Sequence, residues 1–179
     1  MKKLFVLLLI AIWGGIFAQN ADVIIPPSNK TVKVSTKDKL TAQSGAFEID
    51  FSLNFTNPKK DYIGYMLTCR NWVKPFQGFA FGVNRVKNKS SIWFYPLDTD
   101  GKVFGFYRAC TLENNKRYKA VLSYEGRHCV LKIDGKVVVD TNLKQPITVY
   151  KDIEIGGMGG KTFNVTVHSF KFLSKKKSL

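Results

Sequence analysis

The sequence is poor in the residues that most often form catalytic and metal sites. It contains three cysteines, two histidines and 13 acidic residues against 28 basic ones. The spacing of Cys69, Cys110 and Cys129 matches no zinc motif. Neither His128 nor His168 lies near a Ser, Cys or Asp motif, which favours a surface or hydrogen-bonded structural role for both. The composition therefore argues against a thiolate-bound metal and against a histidine-based catalytic centre.

An odd number of cysteines leaves at least one thiol free. Cys129 lies in the apolar alternation "CVLKI" and is predicted to be a small buried side chain. Cys69 and Cys110 are then the first pair to test for a disulfide, provided that the protein enters a compartment where disulfides form.

Long apolar runs are scarce as well. One runs from Leu4 to Ile12, after two lysines and before the small residue Ala18, which is the order of a secretory signal peptide. It is too short to cross a bilayer comfortably. Residues 1–19 are therefore predicted to be a cleaved signal peptide, and the alternatives are a cut a few residues later or an uncleaved anchor. The mature chain is expected to be secreted or retained in the periplasm or cell envelope, with no transmembrane segment.

Acidic residues are too few to balance the basic ones. Loss of Lys2 and Lys3 with the signal peptide lowers the net charge from +15 to +13. Such an excess attracts polyanions, such as acidic glycans or anionic lipids, with an affinity that falls as salt rises. The alternative is a soluble basic surface with weak nonspecific adhesion. Specific nucleic-acid recognition is not expected.

Amphipathic helical patterns of useful length are absent. Short strand-like segments separated by turn signals follow one another at a spacing of about ten residues, which predicts an all-β protein, a two-sheet antiparallel sandwich or jelly roll. Residues 20–43 are interpreted as a lead-in that adds one edge strand at most, "TVKVS", residues 44–173 as the sandwich, and residues 174–179 as a solvated basic tail. The predicted strands are 46–55, 61–69, 78–84, 91–96, 102–110, 117–124, 127–133, 136–140, 151–155 and 163–173.

Three short motifs, "DTDG", "YEGR" and "DGK", predict hairpin turns. The first, residues 98–101, also resembles part of a calcium loop but lacks the remaining ligands. Calcium binding therefore stays open, but the sequence does not locate its ligands. No other cofactor is expected. Across "DGK", Leu131 and Ile133 are predicted to share one face with Val137 and Val139.

The second half of the chain contains a recognisable pattern. The segments "RYKAVLSYEGRHCVLKIDGKVVVD", residues 117–140, and "DIEIGGMGGKTFNVTVHSFKF", residues 152–172, resemble the laminin G and concanavalin A-like lectin/glucanase superfamily. Val165 stands where that family usually has glycine, and Tyr118 where tryptophan is common. The resemblance implies a concanavalin A-like jelly roll over residues 44–173. It leaves the function open, because lectins, carbohydrate-binding modules, glycosidases and adhesion domains share this sandwich.

The stretch "FEIDFSLNF", residues 47–55, decides whether an enzyme is expected. Family 16 glucanases of this superfamily carry Glu-x-Asp-x-Glu on one strand, and their chemistry needs two carboxyl groups about 5 Å apart. Glu48 and Asp50 match the first two positions, but Ser52 occupies the third. Alternation of apolar and polar residues also makes the stretch an ordinary half-buried strand. A glycoside hydrolase is therefore disfavoured.

Aromatic residues suggest where a ligand could bind. In "SSIWFYPL", Trp93 and Tyr95 must face away from Ile92 and Phe94 if the segment is a strand. Either this sheet is covered on both faces, or its outer aromatic rings stack on sugar rings.

The loop "CRNWVKPFQ" offers a second candidate surface. Trp72 lies between Arg70 and Lys74, and an apolar ring between two cations suits an anionic sugar. The alternative is that Trp72 folds back over the core. Arg108 could also serve an anionic ligand, or close a strand.

Together these features predict a secreted, noncatalytic binding module for glycans, acidic ones favoured, or for an envelope partner. The alternative from a different class is a structural or protein-interaction adhesion domain without a sugar site.

Overall fold

The computed structural model describes residues 32–54, 62–71, 73, 77–86, 89–97, 107–158 and 165–173. The expected signal peptide, the basic tail and the "DTDG" turn lie outside these residues. The described residues form eleven strands. Their bounds are β1 Val32–Ser35, β2 Ser44–Leu53, β3 Tyr62–Arg70, β4 Gly78–Val86, β5 Lys89–Leu97, β6 Tyr107–Leu112, β7 Arg117–Glu125, β8 His128–Ile133, β9 Lys136–Asn142, β10 Asp152–Met158 and β11 Val165–Phe172.

The strands form two antiparallel sheets, as predicted. The six-stranded sheet has the order β1-β10-β3-β4-β5-β6, and the five-stranded sheet has the order β11-β2-β7-β8-β9. Strand β1, which contains most of "TVKVS", lies at the edge of the six-stranded sheet beside β10. The side chains between the two sheets form one large buried core.

Strand β2 shows how the sequence builds this core. Phe47, Ile49, Phe51 and Leu53 are fully buried, and the residues between them are only half-buried. Each buried side chain of this size stabilises the fold by about 1.5–3 kcal/mol relative to an exposed one. The interpretation of this stretch as a half-buried strand is therefore confirmed, although Phe55 lies outside the described residues.

Two of the predicted hairpins are confirmed. In "YEGR", Gly126 has φ +57°, and β7 passes into β8 through Gly126 and Arg127. In "DGK", Asp134 and Gly135 have φ +49° and +81°. Positive φ at both central positions is the geometry of the type I′ turn that matches the twist of a hairpin.

The prediction for Val137 is wrong. Leu131 pairs with Val139, but Lys132 pairs with Val137, because the register shifts between the two pairs. The two-residue turn pairs Ile133 with Lys136, so Val137 lies opposite the exposed Lys132 and on the face away from the core. Val137 is consequently 48% exposed, whereas Leu131 and Ile133 are buried.

The thiols are buried but not paired as expected. The burial of Cys129 is confirmed, since its exposure is 0%. The Cys69–Cys110 disulfide is wrong, because Cys69 is a free thiol whose Sγ accepts a hydrogen bond from the Tyr150 N–H at 3.2 Å. The side chain of Cys110 lies outside the described part of the chain.

Candidate functional site

The two carboxylates of the glucanase-like strand are held in ion pairs. Glu48 lies 3.4 Å from the Lys119 ammonium and 3.1 Å from that of Lys171. Asp50 accepts two hydrogen bonds from Arg117, each of 2.7 Å. These bonds hold the pKa of Asp50 below its ordinary value, against an opposing effect of burial. Asp50 is therefore an ionised carboxylate and a poor proton donor for a leaving group.

Ser52 occupies the third position of that strand and bonds to a histidine. Its Oγ lies 3.0 Å from His168 Nε2, which is the distance of a nucleophile and its base. A catalytic pair also needs a group that orients the imidazole. Both oxygens of the nearby Asp50 bond to Arg117 instead. The geometry of these residues supports a cross-strand structural network rather than a reaction centre.

The second histidine lies in a surface ion pair. His128 Nε2 lies 2.7 Å from Asp140 Oδ1, and both side chains are largely exposed. Within the described part of the chain, no group of three or more His, Cys, Asp or Glu side chains could hold a metal ion.

The face of the six-stranded sheet that points away from the core, here called the outer face, is unusual. Ile92 and Phe94 of β5 belong to the main core, whereas Trp93 and Tyr95 belong to a separate cluster. Trp93 is 1% exposed and Tyr95 is 8% exposed. The sequence allowed either a sheet covered on both faces or outer rings open to sugars. At β5 the structure agrees with the first, because both faces of this strand are buried.

Small residues on β4 explain how these rings become buried. Gly78, Ala80 and Gly82 occupy successive outer positions of β4, between β3 and β5. A Cβ on Gly82 would lie 2.5 Å from Trp93 Cζ2 and 2.1 Å from the Gly64 carbonyl oxygen. The absence of a side chain at residue 82 lets the indole lie close against the sheet.

The rings on this face contact one another. Trp93 stacks on Tyr95 with centroids 4.6 Å apart and an interplanar angle of 20°, and Tyr65 of β3 meets Trp93 edge-on at 5.3 Å. The Tyr95 hydroxyl donates a 2.8 Å hydrogen bond to the Tyr65 hydroxyl. We call Tyr65, Trp93 and Tyr95 the outer-face aromatic cluster. Aromatic pairs of this geometry contribute about 0.5–1.5 kcal/mol beyond the area they bury.

Arg70 adds a cation to this cluster. Burial raises the pKa of Tyr95, the bond to Tyr65 raises it further, and the positive charge of Arg70 acts in the opposite direction. Tyr95 is thus a neutral hydroxyl that donates a hydrogen bond to Tyr65 and has the Arg70 guanidinium nearby. Arg70 itself is half-buried.

The outer face unites only part of the predicted ligand site. Arg70, Trp93 and Tyr95 lie together there, and Arg108 of β6 is directly opposite Trp93 in the register, although its side chain is outside the described part of the chain. Trp72 and Lys74 lie outside the described residues. Tyr65 was missed by the sequence interpretation.

Comparison with solved structures gives the fold a wider context. The chain is similar to galectin LEC-6 from Caenorhabditis elegans, with a TM-score of 0.57 and 14% identity over 89% of this chain and 100% of that one. It is similar to the CBM40 of the Ruminococcus gnavus IT-sialidase, solved bound to α2,3-sialyllactose, with a TM-score of 0.58 and 15% identity over 86% and 91%. The botulinum neurotoxin serotype D binding domain gives a TM-score of 0.61 and 12% identity over 86% of this chain and 39% of that one.

At these identities the similarity concerns the fold. No protein-family model matches the sequence, and no curated protein matches it. The described residues contain no helix with the length and apolar character needed to cross a membrane. The chain is an all-β, two-sheet antiparallel sandwich with a lectin-like fold.

Proposed function

We propose that this protein is an exported, noncatalytic glycan-binding module of the laminin G and concanavalin A-like type. The observation that carries the proposal is the outer-face aromatic cluster, with the Arg70 guanidinium near Tyr95, on the sheet face that does not form the sandwich core. Aromatic rings, hydroxyls and a guanidinium are the groups that recognise sugar rings, sugar hydroxyls and sugar acids.

The role of each proposed residue follows from its exposure. Tyr65 and Arg70 are half-buried and can contact a ligand at the surface. Trp93 and Tyr95 are buried and orient these two residues from below. Trp72, Lys74 and Arg108 remain proposed contacts.

The fold and the opening strand both support a binding role. Among the similar structures are a galectin and a CBM40 bound to α2,3-sialyllactose. Glu48 and Asp50 both form ion pairs with basic side chains. The strand also lacks the second glutamate that a double displacement requires.

A glycan array probed with the mature protein at low and high salt tests the proposal. Parent protein should retain signal on some glycans at high salt, because contacts made by hydrogen bonds and rings are screened less than bare charge. Tyr65→Ala should remove that signal. Val137→Ala, which truncates an exposed residue on the other sheet, should not. Folded parent protein that retains no glycan at either salt concentration would overturn the proposal.

The burial of Trp93 and Tyr95 also favours a second candidate function. These two rings are nearly inaccessible, so neither offers an open face for a sugar. A basic adhesion domain that contacts its partner through charge alone fits this observation. It predicts that all array signal disappears at high salt.

A further inference from the structure

The strands that form the outer face carry charge of one sign. Strands β3, β4, β5 and β6 are neighbours in the sheet. Together they contain Arg70, Arg85, Lys89 and Arg108, and they contain no Asp or Glu. Arg85 is buried and alternates with the core residues Phe81 and Val83, so the outer face owes its charge to the other three. The acidic residues of this sheet lie on β10, where Glu154 pairs with Lys33 of β1 at 3.5 Å. The half of the sheet that holds the aromatic cluster is therefore positive.

Resting on the proposed function, we propose that Arg70 is the anchor for a carboxylate, and that the glycans bound here are acidic sugars carrying that group. The planar guanidinium matches a carboxylate with two parallel hydrogen bonds, which a lysine ammonium cannot reproduce. The proposal assigns the ligand class to one side chain rather than to the net charge of the protein.

The backbone of Arg70 is fixed by its surroundings. Arg70 is the last residue of β3 and pairs with Gly78, the first residue of β4. Gly78 has φ +106°, and a Cβ there would lie 2.0 Å from the Cys69 carbonyl oxygen, so only glycine fits this close approach. The Asn71 N–H donates to the Gln77 carbonyl at 3.1 Å and closes the loop between the strands.

The side chain of Arg70 is oriented as well. Its positive charge lies close enough to Tyr95 to oppose the rise in the pKa of that hydroxyl, and Tyr95 is held by its 2.8 Å bond to Tyr65 and its stacking on Trp93. A guanidinium held in place by buried groups loses less conformational entropy when a ligand binds. This arrangement explains why aromatic rings that are themselves inaccessible lie beside the cation.

Binding of polygalacturonate, compared with its methyl ester and with dextran sulfate, tests the assignment. Polygalacturonate and its ester share one sugar backbone and differ in carboxylate charge, whereas dextran sulfate is a polyanion without carboxylates. Arg70→Gln should weaken polygalacturonate binding by about tenfold to a hundredfold, the range for a hydrogen-bonded charge pair. Arg70→Lys should lose most of this affinity despite its unchanged charge.

Arg127→Gln is the control, because Arg127 is an exposed residue of the hairpin between β7 and β8 on the other sheet and the charge change is the same. It should alter polygalacturonate binding by less than about twofold, as expected for a remote charge in salt. Equal losses for Arg70→Gln and Arg127→Gln, or parent affinity in a folded Arg70→Lys variant, would overturn the proposal. So would tighter binding of dextran sulfate than of polygalacturonate.

The two proposals fail in different ways. Binding of the methyl ester with no preference for the free acid overturns the carboxylate anchor and leaves the glycan-binding function standing. Absence of binding to every glycan on the array overturns both. Urea unfolding of each variant shows whether a loss of binding is due to misfolding. If Arg70→Gln is misfolded, the binding of Arg70→Lys decides the result.

Discussion

Trp93 lies over Gly82, so that a Cβ on the glycine would come within 2.5 Å of the indole ring. This contact buries a large aromatic residue on the face of the sheet that is turned away from the core. It also brings Trp93 against Tyr95 and Tyr65, and through Tyr95 it restrains Arg70. One missing side chain on β4 thus controls the shape of the candidate site.

Gly82→Ala should destabilise the protein. The added methyl meets both the Trp93 ring and the Gly64 backbone oxygen, and the backbone contact is hard to relieve. Overpacking of this kind costs about 1–3 kcal/mol. Urea denaturation followed by tryptophan fluorescence measures the effect.

Gly126→Ala is the control for that experiment. A Cβ on Gly126 has no atom within 4 Å, but its φ is +57°, so this variant reports backbone strain alone, about 1–2 kcal/mol. An unfolding midpoint for Gly82→Ala equal to that of the parent would show that the contact between Trp93 and Gly82 is looser than described.

Asp50 should make stability depend on pH. Its folded pKa lies below the ordinary value of 3.8, chiefly because Arg117 donates hydrogen bonds to it. A lowered folded pKa stabilises the protein above the unfolded pKa, and the contribution disappears as pH falls through the folded value. Asp50→Asn should therefore lower the urea midpoint at neutral pH, and the difference from the parent should vanish in strong acid.

A surface ion pair gives the comparison for Asp50. Glu113 and Lys116 lie 2.9 Å apart but are largely exposed, and such pairs contribute little. Glu113→Gln should leave the urea midpoint nearly unchanged at every pH. A midpoint for Asp50→Asn that matches the parent at neutral pH would contradict the importance of the Arg117 bonds.

The fold could be predicted because apolar alternation and turn residues, which are local features of the sequence, define the strands and hairpins. Alternation in β2 and β5 assigns Phe47 and Phe94 to the core, and the turn chemistry of Asp134 and Gly135 locates a hairpin. The same turn accounts for the exposure of Val137, because a two-residue loop that pairs Ile133 with Lys136 places Val137 opposite Lys132. The pairing of Leu131 with Val139 could not be read in this way, because it depends on a register shift that nothing in the alternation of "KVVVD" marks.

The candidate site was only partly predictable for a related reason. Alternation correctly places Trp93 and Tyr95 on the face opposite Ile92, but burial on that face depends on what β4 carries beside them. The signal is the row of small residues in "GFAFG", which becomes meaningful only when the register brings Gly82 next to Trp93. Tyr65 joins through a bulge in β3, between Tyr65 and Leu67, that the sequence does not show.

The buried thiols should react slowly in the native protein. Burial raises the pKa of Cys69 to about 11 and that of Cys129 to about 12, and the thiolate is the reactive form. In a Cys110→Ser background, a thiol reagent at pH 8 should label both residues only after denaturant is added. Rapid labelling of Cys129 without denaturant would show that the core opens there.

No glycosidase activity is expected. Glu48 pairs with two lysines and Asp50 with Arg117, so neither is available as the acid of a double displacement. Incubation with β-glucans should release no reducing ends. Release that disappears in Glu48→Gln, while the variant remains folded, would overturn this prediction.

The last prediction separates the two components of binding to an acidic polysaccharide. The net charge, +13 if the expected signal peptide is removed, should give a component of the affinity that weakens steadily with salt. Local contacts should leave a residual affinity that no longer changes at high salt, here called the plateau. Trp72→Ala should weaken the binding free energy on that plateau by about 1–3 kcal/mol if its ring stacks on a sugar.

Trp93→Phe should leave the plateau unchanged, because Trp93 is 1% exposed and phenylalanine fills most of its volume. Phenylalanine is the better probe, because truncation of a buried tryptophan to alanine costs about 3–5 kcal/mol. Loss of the high-salt binding in a folded Trp93→Phe variant would contradict this expectation and show that the indole itself is needed, as a contact or as a support for Tyr65 and Arg70. Absence of a plateau in the parent would mark the protein as a basic adhesion domain.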